Sequence, residues 1–475
     1  MFRNLISPVV LLLSFGPALS GQQAWSLQEC VEYATRNNLS IKQAQAQIRG
    51  AELTLKQSRF SRLPSLNSTV SGGAQFGRTI DPTTNSFDNR QIGFNSYGVN
   101  FGVTAFAGNR INNSIRQGQL DLTASKLDAA QIGNDISLNV ATAYLNVLLS
   151  EEQLELARQR IGQSRFQLEQ TEKLINAGAR AANERLNALS QVALDEQALI
   201  QAENAVELNY LTLKQLLQLD LSLAFKVQKP DIAIPADANP DRFAPLEVFN
   251  AALSRQPNIQ AGEKRVESAV VGVEIAKAAY LPTLNFFGGM TTNFSSASKK
   301  VDGYSTQNFK QTVLLNGQQV VFEVPQQVPL LSENPYFNQL NQNFGQNLGV
   351  SMSVPIYNNH RNRINVERAQ LNLINREIGN EQLRQQLKTS IDRAIADARA
   401  AKRSYEAATT AVEASTASYR NAQTRYDVGA VNSLELQTAR NAMEQAKIDL
   451  VRARYQYIFN LKLVEFYQGK PLTLN

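Results

Sequence analysis

The sequence has few of the residues that build metal, disulfide or catalytic sites. Its 475 residues include one cysteine, one histidine, one tryptophan and four methionines. The single Cys30 excludes an internal disulfide. The single His360 excludes multi-histidine metal sites and argues against a histidine-based catalytic triad. We therefore expect no enzyme, no resident metal and no cofactor.

Long apolar segments are also lacking. The first 20 residues combine a basic Arg3, an apolar run from Val9 to Phe15 and small residues before Gly21. This pattern is typical of a secretory signal peptide, residues 1–20. No later stretch approaches the roughly 20 consecutive apolar residues of a membrane helix. A mature chain that enters a membrane is therefore expected to do so as strands.

Charge of one sign is not in large excess. Lys and Arg number 47 against 41 Asp and Glu, and no basic cluster is interleaved with aromatic residues, so nucleic-acid binding is poorly supported. Cys30 follows Leu27 by three residues, but Gln28 and Glu29 are not the small residues of a lipoprotein signal. A buried helical cysteine is the favoured interpretation.

A tandem repeat is present instead. Gly98 to Leu221 aligns without a gap on Gly349 to Leu472, at an offset of 251 residues. Leu63 to Asn67 corresponds to Leu281 to Asn285 at an offset of 218 residues. The difference of 33 residues is an insertion in the second half, about 291–347, whose prolines lie among polar residues. We predict that it forms a long external loop.

The repeat predicts the division of the chain. After the signal peptide come a first repeat (21–221), a proline-spaced inter-repeat linker (222–245) and a second repeat (246–475). Each repeat is predicted to contain an opening helix, two strands, a long helix and a return helix. The opening helices, Leu27 to Arg62 and Leu246 to Tyr280, end near a proline, since the residue before proline disfavours helical geometry.

The predicted long helix of the first half is unusual in length. Asn109 to Gly178 contains no proline, and about 70 helical residues extend roughly 105 Å. The return helix, Asn183 to Gln218, and the opening helix each have about 36 residues, or roughly 54 Å. Two short helices laid end to end thus match the long one.

Heptad repeats run through these helices. Large residues recur every seven positions, and in the two long helices small residues follow three positions later. The large residues are Leu154, Ile161, Leu168 and Ile175 in one long helix, Tyr405, Val412, Tyr419 and Tyr426 in the other, and Val192, Leu199, Val206 and Leu213 in the first return helix. Such a repeat imposes left-handed supercoiling. A structural coiled-coil protein of the envelope remains an alternative, although it explains neither the signal peptide nor the strands.

Two strands are predicted in each half. From Tyr97 to Ala105 and from Leu348 to Ile356, apolar residues alternate with small or polar ones. The preceding strands, Pro64 to Phe76 and Pro282 to Phe294, alternate less cleanly. About 11 residues with a period of two are typical of transmembrane strands. Because open strand edges are not tolerated in hydrocarbon, we expect several subunits to share one closed sheet; a small soluble sandwich is the alternative.

Over nearly its whole mature length the chain resembles the TolC-like outer-membrane factor family. The resemblance rests on the tandem halves, on the Leu-Pro-x-Leu sequences that open the strands, and on the turns Asn176 to Ala179 and Asp427 to Ala430. The stretch Gly77 to Asn85 is similar to the first external loop of Bacteroidetes-type members.

The resemblance implies an outer-membrane factor fold, mainly α with membrane β. A homotrimer in outer-membrane lipid would place four strands per subunit in a shared 12-stranded barrel, continued by a periplasmic α-barrel of coiled-coil helices about 100 Å long. The function implied is a passive exit duct of a tripartite efflux pump or a type I secretion system, joined to a periplasmic adaptor and an inner-membrane transporter. A periplasmic adaptor, which usually has one helical hairpin, is the competing interpretation.

The two helix turns are implied to form the periplasmic tip, where such ducts close and adaptors dock. They contain Gly178–Ala179 and Gly429–Ala430, and glycine suits the left-handed conformation that ends a helix. Arg180 aligns with Val431, so the two tips are expected to differ in function.

Three residues near the tip are candidates for a gate. Glu184 and Glu435 align with acidic residues of the family, and six carboxylates in a trimer would favour cations. Thr438 stands where members often carry a second acid, which leaves the strength of selectivity open. Glu435 is equally compatible with a capping box on Asn432. Tyr426 is implied to tie neighbouring helices at the closed tip, or it packs as a heptad residue.

Overall fold

A computed structural model describes residues 24–80, 87–89, 91–230, 239–315 and 317–470. The predicted signal peptide, residues 81–85 of the external-loop motif and residues 231–238 of the linker lie outside these ranges. The chain divides into two compact units. The helical unit comprises residues 1–52, 120–267 and 374–475, and the strand unit comprises residues 53–119 and 268–373.

The helices follow the repeat. In chain order the described residues form α1 Leu27–Asn37, α2 Leu39–Phe60, α3 Arg110–Asn176, α4 Asn183–Leu217, α5 Pro245–Leu253, α6 Pro257–Lys277, α7 Tyr336–Gln342, α8 Arg361–Asp427 and α9 Ser433–Tyr467. Helices α3 and α8 have 67 residues each, about 100 Å, and α4 and α9 have 35 each. The predicted long and return helices are confirmed. In the described ranges, no helix combines the length and apolarity needed to cross a membrane.

The prediction of one continuous opening helix in each half is wrong. In the first half the helix stops at Asn38, whose ψ of 135° is extended; its side chain accepts a hydrogen bond from the Ser40 amide at 2.9 Å. In the second half it stops at Leu253 and restarts at Pro257, because proline is excluded from a helix interior. Asn38 and Gln256 align at the offset of 218 residues, so the break recurs at one position of the repeat.

Two apolar cores in the helical unit occupy equivalent positions of the repeat. Each joins an opening helix, a long helix and a return helix. The aligned pairs are Cys30 with Val248, Ala34 with Ala252, Val140 with Ile391, Tyr144 with Ile395, and Leu213 with Val464. All ten side chains are at most 1% exposed. The predicted burial of Cys30 in a helix is confirmed, and burial raises the pKa of its thiol to about 12.

Within the described residues, the strands form three separate antiparallel sheets. In chain order they are β1 Ser65–Gln75, β2 Arg78–Ile80, β3 Phe87–Asn89, β4 Ile92–Ala107, β5 Thr283–Ser295, β6 Lys299–Leu315, β7 Gln318–Glu333 and β8 Gly345–Ser353. The largest sheet has the order β1-β4-β5-β8, and the others pair β2 with β3 and β6 with β7. The four strands predicted from alternation are thus neighbours in one sheet. Strand β8 ends before Pro355, which cannot donate a backbone hydrogen bond.

Apolar side chains of the four-stranded sheet remain exposed in the single chain. On β1, Leu66 and Val70 are 72% and 69% exposed, and on β8, Leu348 and Met352 are 83% and 67% exposed. Strands β1 and β8 are also the two edges of this sheet. The sheet therefore presents both an apolar face and two open edges.

The insertion predicted as a loop contains a long hairpin. Strands β6 and β7 pair from Lys299 with Glu333 to Leu315 with Gln318. Pro325 and Pro329 lie within β7, opposite Asn308 and Tyr304. Since a proline nitrogen cannot donate to the ladder, prolines are found in edge strands with that nitrogen turned to the free side. Proline content had suggested irregular structure, whereas here it marks one edge of a sheet.

Candidate functional site

The two helix turns have the same backbone geometry. Gly178 and Gly429 adopt φ values of 74° and 75°, the left-handed region that favours glycine. In each turn the amide of the next residue, Ala179 or Ala430, donates to a carbonyl five residues earlier at 2.8 Å. This is the hydrogen bond of a Schellman motif, which satisfies the free carbonyls at a helix end. The turns expected at the tip are therefore built alike in both halves.

The helices that leave the turns begin differently. Helix α4 begins after Ala182, which provides no side-chain cap, whereas Asn432 caps α9 by accepting from the Glu435 amide at 2.9 Å. This is one half of the capping box. The Glu435 carboxylate accepts from Arg425 Nη1 at 2.9 Å, and both side chains are about half exposed. Glu435 is thus held by a cation on the preceding helix.

Glu184 and Tyr426 meet in a cluster with Arg180, here called the tip cluster. The Tyr426 hydroxyl donates to Glu184 Oε2 at 3.1 Å, and Arg180 Nη1 lies 3.6 Å from the same oxygen. The Arg180 guanidinium also covers the Tyr426 ring at 4.1 Å and donates to the Tyr426 carbonyl at 3.1 Å. These contacts attach helix α8 of the second half to the helical hairpin that α3 and α4 form in the first half, here called the first hairpin.

Burial keeps the Tyr426 hydroxyl of the tip cluster protonated. Tyr426 is 6% exposed, and burial, followed by the nearby Glu184 carboxylate, raises the pKa of its hydroxyl above the ordinary value. The phenol is therefore neutral at physiological pH and remains a hydrogen-bond donor. Glu184 also lies in the first turn of α4, where the helix dipole favours a negative charge.

The structure brings together residues that were predicted separately. Glu184 and Tyr426 lie in one cluster, whereas Glu435 lies in a separate pair with Arg425. The sequence identified Arg180 only as a difference between the tips and missed its role as the partner of both. Its position four residues before Glu184, in the turn that precedes the return helix, was the available signal.

A second polar cluster, also missed, lies further along the return helix. Asp195 is fully buried; Arg160 Nε lies 2.6 Å from its Oδ1, Gln191 Nε2 donates to Oδ1 at 2.8 Å, and Ser164 donates to Oδ2. Arg440 on α9 lies 4.0 Å from Oδ2 and donates to the Arg160 carbonyl at 2.8 Å. We call these five residues the Asp195 cluster. It connects α3 and α4 of the first half to α9 of the second.

The described residues contain no cluster of three or more His, Cys, Asp or Glu side chains arranged to hold a metal ion. The carboxylates of both tip sites are paired with arginine instead. Chemically, these sites can make and release hydrogen bonds and ion pairs between helices.

With this geometry established, comparisons with known proteins identify the family. The model of the family described as "Outer membrane efflux protein" matches residues 31–218 and 332–463, more than half of the chain. The chain belongs to this family of TolC-like outer membrane efflux proteins, which places it in the outer membrane. The resemblance noted from the sequence is confirmed.

Curated relatives are distant but consistent. The chain is 24% identical over 245 residues to the outer membrane protein TolC of Salmonella enteritidis, covering 50% of each chain. It is 24% identical over 352 residues to the pyoverdine export outer membrane protein OpmQ of Pseudomonas aeruginosa, covering 72% of this chain and 64% of the relative. The chain thus spans between half and two thirds of the length of these two relatives.

The fold extends over nearly the whole chain. The crystal structure of CusC, described in terms of folding and transmembrane channel formation, matches with a TM-score of 0.74 and 16% identity. The match covers 96% of both chains. The predicted outer-membrane factor fold is confirmed by this likeness.

Proposed function

We propose that this chain is one of three identical subunits of a passive exit duct, with strands in outer-membrane lipid and helices in the periplasm. The observation that carries the proposal is the four-stranded sheet with an exposed apolar face and edges at β1 and β8. An unpaired edge in hydrocarbon leaves backbone groups without partners, which costs several kcal/mol per group. Joining β8 of one copy to β1 of the next removes both edges when the ring closes.

The duct conducts rather than catalyses in this proposal. A periplasmic adaptor binds the tip turns, Gly178–Ala179 and Gly429–Ala430, and an inner-membrane transporter supplies the energy. The family and the roles given in the names of its relatives, such as pyoverdine export for OpmQ, support an efflux assembly. Type I secretion uses the same kind of duct and remains the alternative task.

Assembly and conductance test the proposal directly. The full mature chain, purified in detergent, is expected to run as a trimer by light scattering and to conduct ions in a planar bilayer. A monomeric chain without conductance would contradict it.

The lipid-facing side of the sheet gives a sharper test. Leu348 is 83% exposed on the apolar side of β8, and Asn347 points to the opposite side. We expect Leu348→Arg to reduce the membrane-inserted fraction, because arginine on the lipid face costs about 2–4 kcal/mol at the bilayer midplane. Asn347→Arg is the matched control and is expected to insert normally. Equal insertion of both variants would contradict the assignment of faces.

We further propose that Tyr426 and Glu184 hold the duct closed, and that Glu184 and Glu435 set its cation preference. The buried hydrogen bond between Tyr426 and Glu184 supports the first role, since it attaches the two halves beside the turns. The half-exposed Glu435 supports the second, since a partly solvated carboxylate can attract a passing cation even beside Arg425.

Removing the tip hydroxyl tests the closed state. Tyr426→Phe keeps the ring and its contact with Arg180 but removes the donor to Glu184. We expect a higher open probability in planar bilayers and greater drug leakage in cells. Conductance and leakage equal to those of the wild type would count against a gating role.

Reversal potentials under a salt gradient test the selectivity. Glu184→Gln with Glu435→Gln is expected to shift the reversal potential toward zero, whereas Arg425→Gln, which frees Glu435, is expected to increase the cation preference. An unchanged permeability ratio in the double variant would remove both glutamates from the selectivity mechanism.

A further inference from the structure

The Asp195 cluster occupies the seam of a coiled coil. Val192, Leu199, Val206 and Leu213 mark one heptad position of α4, and Asp195 lies three residues after Val192, at the second apolar position of the heptad. Ser164 is one of the small residues of the α3 heptad, and its short side chain leaves room for Asp195, to which it donates. A charged residue in a seam is costly unless it is paired, so its presence needs a reason.

The repeat provides an internal comparison. At the aligned position of the second half, the seam contains Ala446, and Arg160 aligns with Ala411. The second hairpin therefore has the same helix lengths without the buried ion pair. The charge is not needed to build a hairpin of this kind.

Within the first hairpin, the negative charge of Asp195 is already balanced by Arg160. Arg160 lies on α3, Asp195 on α4, and their side-chain atoms are 2.6 Å apart. Arg440 of α9 adds a second positive charge, and its side chain is 6% exposed. It aligns with Leu189 of the first half, so an arginine here is specific to the second return helix. Its donated bond to the Arg160 carbonyl is a bond between the two halves.

Neighbouring contacts repeat this connection. Arg160 Nη2 lies 3.3 Å from Oδ1 of Asn441, the residue next to Arg440 on α9. Two successive residues of α9, Arg440 and Asn441, thus contact Arg160 of the first hairpin. The tip cluster holds α8, and the Asp195 cluster holds α9, about 16 Å from Glu184 along α4.

We propose that Arg440 is a positioning residue for closure, forming with Asp195 and Arg160 a second latch that holds α9 against the first hairpin. This inference rests on the proposed function as a gated duct. When only the tip cluster is broken, α8 is released while α9 stays attached; full opening requires both attachments to be lost. The side chains of Asp195 and Arg440 are 0% and 6% exposed, which limits the access of water to their contacts.

The test replaces Arg440 by the residue that the repeat has at the aligned position. Arg440→Leu copies Leu189 and leaves the Arg160 and Asp195 pair intact, so the hairpin keeps a balanced charge. The matched control is Arg452→Leu, on the same helix, where the arginine is half exposed and paired with Asp449. The full chain is reconstituted in planar bilayers, and open probability and trimer melting temperature are measured for each variant.

We expect Arg440→Leu to raise the open probability about tenfold, which corresponds to about 1.4 kcal/mol of lost closed-state stabilisation. Combined with Tyr426→Phe, it is expected to raise the open probability further than either change alone. Arg452→Leu is expected to behave as the wild type. Arg440→Gln, which keeps a polar side chain, serves if the leucine variant does not assemble, and it is expected to open more often than the wild type.

Two outcomes overturn the latch. One is a variant that melts at a lower temperature but has the open probability of the wild type, since Arg440 would then only stabilise the fold. The other is an equal rise in Arg452→Leu, which would show a nonspecific effect of charge. A wild-type chain that does not conduct would instead contradict the proposed function.

Discussion

The two apolar cores of the helical unit are nearly the same core built twice, and one polar difference between them is informative. At the position where the second core has Ile395, the first has Tyr144, and both side chains are 1% exposed. The Tyr144 hydroxyl donates to the carbonyls of Trp25 at 3.1 Å and Gln228 at 2.5 Å. Those segments pair with each other through an isolated bridge between Trp25 and Val227.

This difference shows where the repeat tolerates chemical change. Positions that only fill space stay apolar, as Ala34 and Ala252 do. The Tyr144 hydroxyl enters the first core where two nonhelical segments bring partly buried carbonyls within its reach, and a carbonyl removed from water needs a donor. The first core therefore combines packing with a polar attachment, and the second relies on packing at that position.

Truncation at the shared packing position is expected to have the largest effect. Leu213 and Val464 are aligned and fully buried at the end of the return helices. We expect Leu213→Ala to reduce the free energy of unfolding by about 2–5 kcal/mol, and Val464→Ala by less because fewer methylene groups are lost. Urea unfolding in detergent, followed by circular dichroism, measures both.

A position on the same helix provides the control for this truncation. Leu194 of α4 is 55% exposed, and Leu194→Ala is expected to change stability by less than about 0.5 kcal/mol. If Leu213→Ala were no more destabilising than Leu194→Ala, the two buried cores would not be the source of stability.

The polar difference predicts a smaller effect. Tyr144→Phe leaves the carbonyls of Trp25 and Gln228 without this donor, so we expect a loss of about 1–3 kcal/mol. Ile395→Val removes only a methylene and is expected to cost about 0.5–1.5 kcal/mol. Urea midpoints of the two variants, compared in one detergent, decide the order. A phenylalanine variant as stable as the wild type would mean that the hydroxyl is dispensable.

The smallest effect is expected for a substitution that copies the residue at the aligned position of the other half. Cys30→Val copies Val248, and we expect a change below about 1.5 kcal/mol. The buried thiol, with its pKa raised to about 12, is expected to resist maleimide at pH 8 until the chain unfolds. Rapid labelling of the folded chain would contradict this burial.

The same thiol gives a pH dependence with a defined sign. Because its folded pKa lies above its ordinary value of 9.0, the unfolded chain loses the proton first as the pH rises. The stabilisation from the neutral thiol is complete below pH 9 and is lost between pH 9 and about 12. Wild type is therefore expected to lose stability relative to Cys30→Val across that interval, measured by unfolding midpoints.

Much of the fold was predictable because it depends on periodicity. The alternation from Tyr97 to Ala105 lies inside β4, and the proline-free segment from Asn109 agrees with α3 within a few residues. Local period and proline position can be recognised in the sequence alone, so helices and strands that depend on them are predictable without knowledge of tertiary contacts. The gate residues Glu184 and Tyr426 were also identified, although their mutual contact was not.

What could not be predicted depends on contacts distant in the chain. The break at Asn38 has no proline to mark it, and only its alignment with the residue before Pro257 would have shown it. The hairpin of β6 and β7 had a signal in the sequence: the dipeptide Asn-Gly at positions 316 and 317 is a pair that favours two-residue hairpin loops. Asp195 was visible as a charge in a heptad seam, but its partner Arg440 is about half a chain away.

The prolines of β7 determine at which edge a further strand can join the sheet of β6 and β7. Because Pro325 and Pro329 remove two amide donors from the outer side of β7, a further strand added there would lack two of its hydrogen bonds. Strand β6, Lys299–Leu315, has no proline and keeps its donors. Any peptide or strand that extends this sheet is therefore expected to join at β6, and misassembly through the β7 side is suppressed by the sequence itself.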